Sequence, residues 1–448
     1  MAGVTRTPWE PDRAWADPLL AGLVVVAALL VMLGALAQRK VRQRPPEQVS
    51  LAARLDDRLR GASSTWSGAS TVLPPAGNPW DRALGAVALA ERGRLVEARA
   101  WALDGPLPAG PSGTAFRAAW RRAYLGEGTP IPQDAMGPLH EALGGGWASH
   151  ALALRLAERD GRDSAPLSAI LARRAERTRW ILVALGLGGL AALGMGVVTA
   201  FRLMRRPPEP RPLPLVAMSG RALLILLLSW FIGSQLAALP VMLGVQLIPG
   251  LQPFALPLQY LLHAGIGIGL LALGEGLRPM ELLGRLLPRP PRGLFSMSLG
   301  FFGLALGAVL LVALLLGPML PKGADPQQEL QQILAGTSGA LPLLLLLTTV
   351  ALLAPLFEEM VFRGVVLGWL APRMPRRLSP RLQSALAVTI SGLAFGLIHL
   401  QPLALPTLTT LGIVLGAALL GTRSLWTCVA VHALWNASVF LVNRLSVT

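Results

Sequence analysis

From Trp180 onward the chain is a succession of long apolar runs, at 180–201, 222–247, 255–275, 294–316, 340–370, 384–400, 405–421 and 425–443. Crossing about 30 Å of hydrocarbon as a helix takes roughly 20 apolar residues. In lipid every backbone N–H and C=O must be paired within the protein, and an open strand leaves an edge unpaired. Runs of this length therefore specify helices, and about eight of them specify an all-α, polytopic transmembrane helical bundle. An earlier run from Pro18 to Ala37, followed by Arg39, Lys40, Arg42 and Arg44, reads as an uncleaved anchor. A cleaved leader carries its positive charges ahead of the apolar stretch.

Residues 43–175 break this pattern, being polar, rich in Arg, Glu, Gly and Pro, and holding Trp66, Trp80, Trp101, Trp120 and Trp147. They read as a small soluble helical domain inserted before the main bundle. Within it, Trp80 to Leu103 has apolar residues at helical spacing on either side of Gly93. This piece resembles one helix-turn-helix unit of a tetratricopeptide-type array, although a single unit cannot bury its own face. The expected division is an anchor over 1–42, the soluble domain over 43–175, a transmembrane helix and linker over 176–214, and a membrane core over 215–448. His140 and His150 have no ligand-like neighbours in sequence and are read as surface or packing residues.

The 40 Lys and Arg against 24 Asp and Glu give a net charge of +16. A nucleic-acid partner would need a recognition motif, and none is present. The cations cluster in short loops, Arg202 to Arg221, Arg278 to Arg292 and Arg373 to Arg381, as on the cytoplasmic side of membrane proteins. Pro318 to Gly339 instead sets Lys322 against Asp325 and Glu329. Counting spans back from these loops puts 43–175 outside the cytoplasm in a multi-pass cell-membrane protein. The arginines flanking that domain argue the reverse, but long domains translocate largely regardless of charge. Cys428 is the single cysteine and excludes an internal disulfide. As a nucleophile it would have only His432 to activate it, and it reads as a small buried hydrophobe.

Ionisable residues inside apolar spans are costly, roughly 2.5 to 3.5 kcal/mol on insertion scales, and face a protein interior or cavity. Glu358, Glu359 and Arg363 lie within six residues of such a span, just after Pro355, whose missing donor frees a carbonyl. Neighbours on a helix point about 100° apart, so the two glutamates have different roles. Glu359 and Arg363, four apart with the acid first, are spaced for an ion pair. Glu358 is left to face a cavity, where a carboxylate can work as a general base. Phe395 and His399 share one helix face, as do His432 and Asn436. Each buried imidazole needs a polar partner, and the arrangement that serves all of them draws Glu358, His399, His432 and Asn436 from three helices into one hydrated pocket. His263, beside Gly265, reads as a packing residue. The pairs Gly265 and Gly269, Gly392 and Gly396, and Gly412 and Gly416 repeat a spacing that lets helices approach closely.

These residues resemble the CPBP family of intramembrane proteases, which includes CAAX prenyl endopeptidases and bacteriocin-processing or immunity proteins. Its motifs occur in order as Glu358-Glu359-xxx-Arg363, Phe395-xxx-His399 and His432-xxx-Asn436, and the resemblance covers about residues 215 to 445. It implies peptide-bond hydrolysis in or beside the membrane. Glu358 and His399 would activate a water, Glu359 and Arg363 would support the site, and His432 with Asn436 would stabilise the oxyanion. No cofactor is favoured. Zinc on Glu358, His399 and His432 is the alternative, with no HExxH present and the histidines on separate helices. The implied partners are membrane lipid and a membrane-associated peptide or protein, while the partner of 43–175 is unspecified. Two other readings stay open: a non-enzymatic scaffold or immunity-type protein, and a proton-coupled transporter, against which stands the lack of inverted-repeat symmetry.

Overall fold

The computed structural model describes residues 22–28, 79–104, 110–205, 218–319, 330, 333–334, 337 and 339–447. Most of the expected N-terminal anchor and of residues 43–78 lies outside these; residues 22–28 are helical. The helices are α1 (Pro79–Glu91), α2 (Leu95–Ala102), α3 (Pro111–Trp120), α4 (Gln133–Ala142), α5 (Trp147–Arg159) and α6 (Ala165–Arg205). There follow α7 (Gly220–Leu247), α8 (Ala255–Glu275), α9 (Pro279–Leu286), α10 (Leu294–Leu316), α11 (Ala340–Arg373), α12 (Pro380–Ile398), α13 (Leu405–Thr422) and α14 (Leu425–Val447). Among the described residues there is no strand, and eight helices are long and apolar enough to cross a membrane. The chain is thus an all-α, polytopic membrane protein.

The chain divides into two compact units. One comprises Arg42–Gly189 with Leu320–Gly336 and Leu441–Thr448; the other comprises Met1–Val41, Leu190–Met319 and Thr337–Phe440. In the first unit, Gly93 takes the left-handed backbone (φ +76°) that turns α1 into α2. The apolar stripe of α1 is completed by α3, α4 and α5, so that Val87, Leu89, Phe116, Trp120, Leu139 and Leu152 form one core. Gly85 lets the Trp101 ring lie directly on α1, where a Cβ would collide with it. His140 and His150 meet edge to face with centroids 4.5 Å apart, and Nδ1 of His150 lies 2.8 Å from the Gly146 carbonyl. Burial, then the charge of Arg174, holds His140 below the usual histidine range; for His150 burial again leads.

In the membrane unit, helices have no hydrophobic force driving them together in lipid, so small residues set their contacts. A Cβ on Gly412 would stand 2.7 Å from the Cα of Gly392, and one on Gly416 2.9 Å from Val388. Two of the three expected glycine pairs therefore lie at the contact of α12 and α13, where Gly392 and Gly412 meet directly. The third differs: Gly265 and Gly269 face open space, whereas Gly267, between them and on another face of α8, packs against Phe357 and Trp230. Gly196 and Gly303 meet backbone to backbone where α6 crosses α10.

Helix α11 is not uniform. Its α-helical turns are interrupted by π-helical stretches at Thr349–Leu353 and Met360–Leu367, with Ala354–Glu359 between them. In the first stretch the amide of Ala354 reaches the Thr349 carbonyl, five residues back. The next amide in that register would belong to Pro355, which has none. The Val350 carbonyl is taken instead by the side chain of Asn436, 2.9 Å away. In the second stretch the Phe362 carbonyl accepts from the Ser391 hydroxyl of α12, at 2.9 Å. π turns inside α-helices are rare and concentrate at functional sites.

Candidate active site

The two adjacent acids of α11 point into different surroundings, as their helical offset requires. Glu359 is fully buried and pairs with Arg363 at 3.0 Å. Arg363, also fully buried, donates a second hydrogen bond to the Gly412 carbonyl at 3.0 Å, and its guanidinium lies 4.5 Å from the centroid of Phe395. That arrangement engages both Nη atoms, though not Nε, of a cation that would otherwise be very costly inside the bundle. The same Glu359 oxygen accepts a hydrogen bond from Nδ1 of His432, at 2.8 Å. Glu359 therefore also fixes the tautomer and ring plane of His432, a link that spacing did not reveal.

Glu358 is 15% exposed at its side chain. Its Oε2 faces Nε2 of His399 at 4.0 Å and Nε2 of His432 at 3.9 Å. His399 caps the end of α12, where Leu400 takes a left-handed backbone at φ +54°, a strained choice for a side-chain-bearing residue. Its Nδ1–H donates to the Phe395 carbonyl at 2.7 Å, which leaves Nε2 bare and aimed at the carboxylate. Both separations exceed direct hydrogen bonding, and a single water can bridge them. The Phe395 ring is buried between the two imidazoles, with centroids 4.8 Å from His399 and 5.5 Å from His432.

The other Glu358 oxygen accepts from the Tyr260 hydroxyl of α8, at 2.5 Å. Tyr260 is absent from the sequence reading, though a lone tyrosine one turn before His263 in an apolar span was a signal available to it. His263 packs against Tyr260, Trp230 and Phe357, with centroids 5.4, 4.7 and 5.3 Å away. Of the residues read from sequence, the structure brings Glu358, His399 and His432 together and sets Glu359, Arg363 and Phe395 around them. Asn436 lies on the same helix as His432 and is committed to the Val350 carbonyl through one Nδ2–H. Cys428 is buried and directs its thiol to the Leu415 carbonyl, 3.3 Å away.

Zinc would have to sit on Glu358 Oε2 and the two facing imidazole nitrogens. Ligand atoms around a tetrahedral zinc stand about 3.4 Å apart, closer than the 3.9 and 4.0 Å found. Among the described residues no group of three or more His, Cys, Asp and Glu side chains is disposed to hold a metal ion. The set as arranged does not fit zinc.

Searches of curated proteins and of solved structures give no match to this chain. The family model described as Type II CAAX prenyl endopeptidase Rce1-like matches residues 340–438. That segment runs through α11, α12, α13 and most of α14 and contains all three motifs. Residues 340–438 are thus similar to the Rce1-like family, in keeping with the resemblance their motifs carry.

Proposed function

We propose that the protein is an intramembrane endopeptidase that cleaves a membrane-associated peptide or protein with a water activated by Glu358, without a metal. The observation that carries this reading is the convergence of Glu358 Oε2, His399 Nε2 and His432 Nε2 from three separate helices. Glu358 takes a proton from water held between it and the bare Nε2 of His399. The resulting hydroxide forms a bond to the substrate carbonyl carbon. His432, when doubly protonated against the Glu359 carboxylate, offers Nε2–H to the developing oxyanion, with the second Nδ2–H of Asn436 as the further donor. Such donors typically supply about 2.7 to 4 kcal/mol. As the C–N bond breaks, the proton on Glu358 passes to the leaving amine, and the carboxylate is restored. The soluble domain at 43–175 lies on the extracytoplasmic side in this reading.

The test compares membranes of cells carrying the wild-type protein with those carrying Glu358→Ala or His399→Ala. Either variant inserts normally and loses cleavage, so a peptide or protein accumulates with the variants alone. Full turnover by either variant refutes the assignment. Activity abolished by a chelator and restored by zinc would replace the metal-free chemistry with a metal-dependent one.

A further inference from the structure

Nothing in the three motifs involves α8, yet α8 makes the shortest polar contact to the proposed base. Glu358 has two oxygens, and only one of them faces the imidazoles. Oε1 is engaged by the Tyr260 hydroxyl at 2.5 Å, while Oε2 is directed at His399 and His432. A carboxylate at the end of a three-bond side chain can rotate and exchange its oxygens unless one of them is held.

Tyr260 is itself braced. Its ring lies against His263, which packs on Trp230 and Phe357, and the Trp230 indole donates to the His263 carbonyl at 3.2 Å. Gly267 admits Phe357 to this cluster, since a Cβ there would collide with its ring. Phe357 immediately precedes Glu358, so the backbone bearing the acid and the hydroxyl that holds it are set by one aromatic cluster.

We infer that Tyr260 is a positioning residue for Glu358, holding Oε1 so that Oε2 is the oxygen presented to water and to the two imidazoles. The inference rests on the proteolytic reading for its functional meaning, but its geometry can be tested without turnover. The chain has five histidines, so the imidazole nitrogen signals of 15N-histidine-labelled full-length protein in detergent can be assigned with His399→Ala and His432→Ala. Tyr260→Phe keeps the ring and removes only the hydroxyl. It is expected to shift the Nε2 signals of His399 and His432 while those of His140 and His150 stay in place. Unchanged signals at both site histidines overturn the inference.

A second arm uses hydrolysis of a prenylated CAAX peptide, the substrate class for which the matched family is named. Tyr260→Phe should lower kcat about tenfold, the usual consequence of losing a hydrogen bond to a charged group, with KM unchanged. A raised KM with unchanged kcat, or no change in either, counts against positioning even if the spectra move. If the wild-type protein cleaves no such peptide while the histidine signals still respond to Tyr260→Phe, the tyrosine's hold on Glu358 stands and prenylated CAAX peptides are excluded as the substrate class.

Discussion

The chain has two tyrosines, one in each compact unit, and each gives its hydroxyl to a glutamate. In the unit containing α1 to α5, Tyr124 donates to Glu91 at 2.9 Å, and Arg155 grips both oxygens of that glutamate, at 2.9 Å each. The acid is fully answered, and burial followed by the nearby Glu91 charge pushes the Tyr124 hydroxyl well above its usual range. In the membrane unit Tyr260 donates to Glu358 in the same way, but among the described residues no arginine or lysine pairs with that acid. The cation nearby has been given to Glu359 instead. The difference separates a fastening from a tool. A carboxylate with both oxygens held by a guanidinium is neutralised and fixed in place, whereas one steadied by a single hydroxyl keeps an oxygen free.

The largest expected effect strikes at this contrast. Glu358→Gln should reduce hydrolysis by roughly 10³-fold or more, as loss of a central reactive group does elsewhere, while Glu91→Gln should leave the rate unchanged and lower only thermal stability. Comparable losses of rate in both variants would erase the distinction. Glu359→Gln comes next: with Arg363 unpaired in a buried setting, unfolding in detergent should be easier by roughly 3 to 5 kcal/mol, and the rate should also drop because His432 loses its orienting partner. A variant as stable as the wild type would show that Arg363 finds another anion. Asn436→Ala leaves the Val350 carbonyl without its donor and should cost about 1 to 3 kcal/mol, read as a lowered Tm, and it should also lower the rate by removing a proposed oxyanion donor.

The smallest effect belongs to the unit that holds Tyr124. The folded state holds His140 and His150 below their usual titration range, so the unfolded chain takes up protons first as pH falls. The stabilisation from keeping these rings neutral is complete above about pH 6.5 and is lost as pH drops below it. Tryptophan fluorescence of thermal unfolding should give a lower Tm at pH 5 than at pH 7.5, and replacing both histidines by phenylalanine should flatten that dependence.

Sequence spacing disclosed whatever lies one helical turn apart. Glu359 with Arg363 and Phe395 with His399 could be paired on that basis, and each apolar run from Trp180 onward falls on one helix able to cross a membrane, although the first of these begins at Ala165, well ahead of its run. Contacts between distant segments were hidden. The bond between His432 and Glu359 joins residues 73 positions apart, and that between Tyr260 and Glu358 joins residues 98 apart; no periodicity encodes either. The glycine pair on α8 misled because a repeated spacing says that close approach is permitted, not which face a neighbour occupies. Pro355 marked a freed carbonyl, but the π register that decides which one was invisible to a reading based on 3.6 residues per turn.

The two π stretches of α11 bracket the acids, and each has a carbonyl tied sideways to a different neighbour, Val350 to α14 and Phe362 to α12. A helix secured at one point can still spin like a rod in a collar. Secured on both sides of the glutamates by separate helices, this one is locked in azimuth. The heading of Glu358 is consequently a property of three helices at once, so a disturbance far along α12 or α14 can mis-aim the acid without touching it.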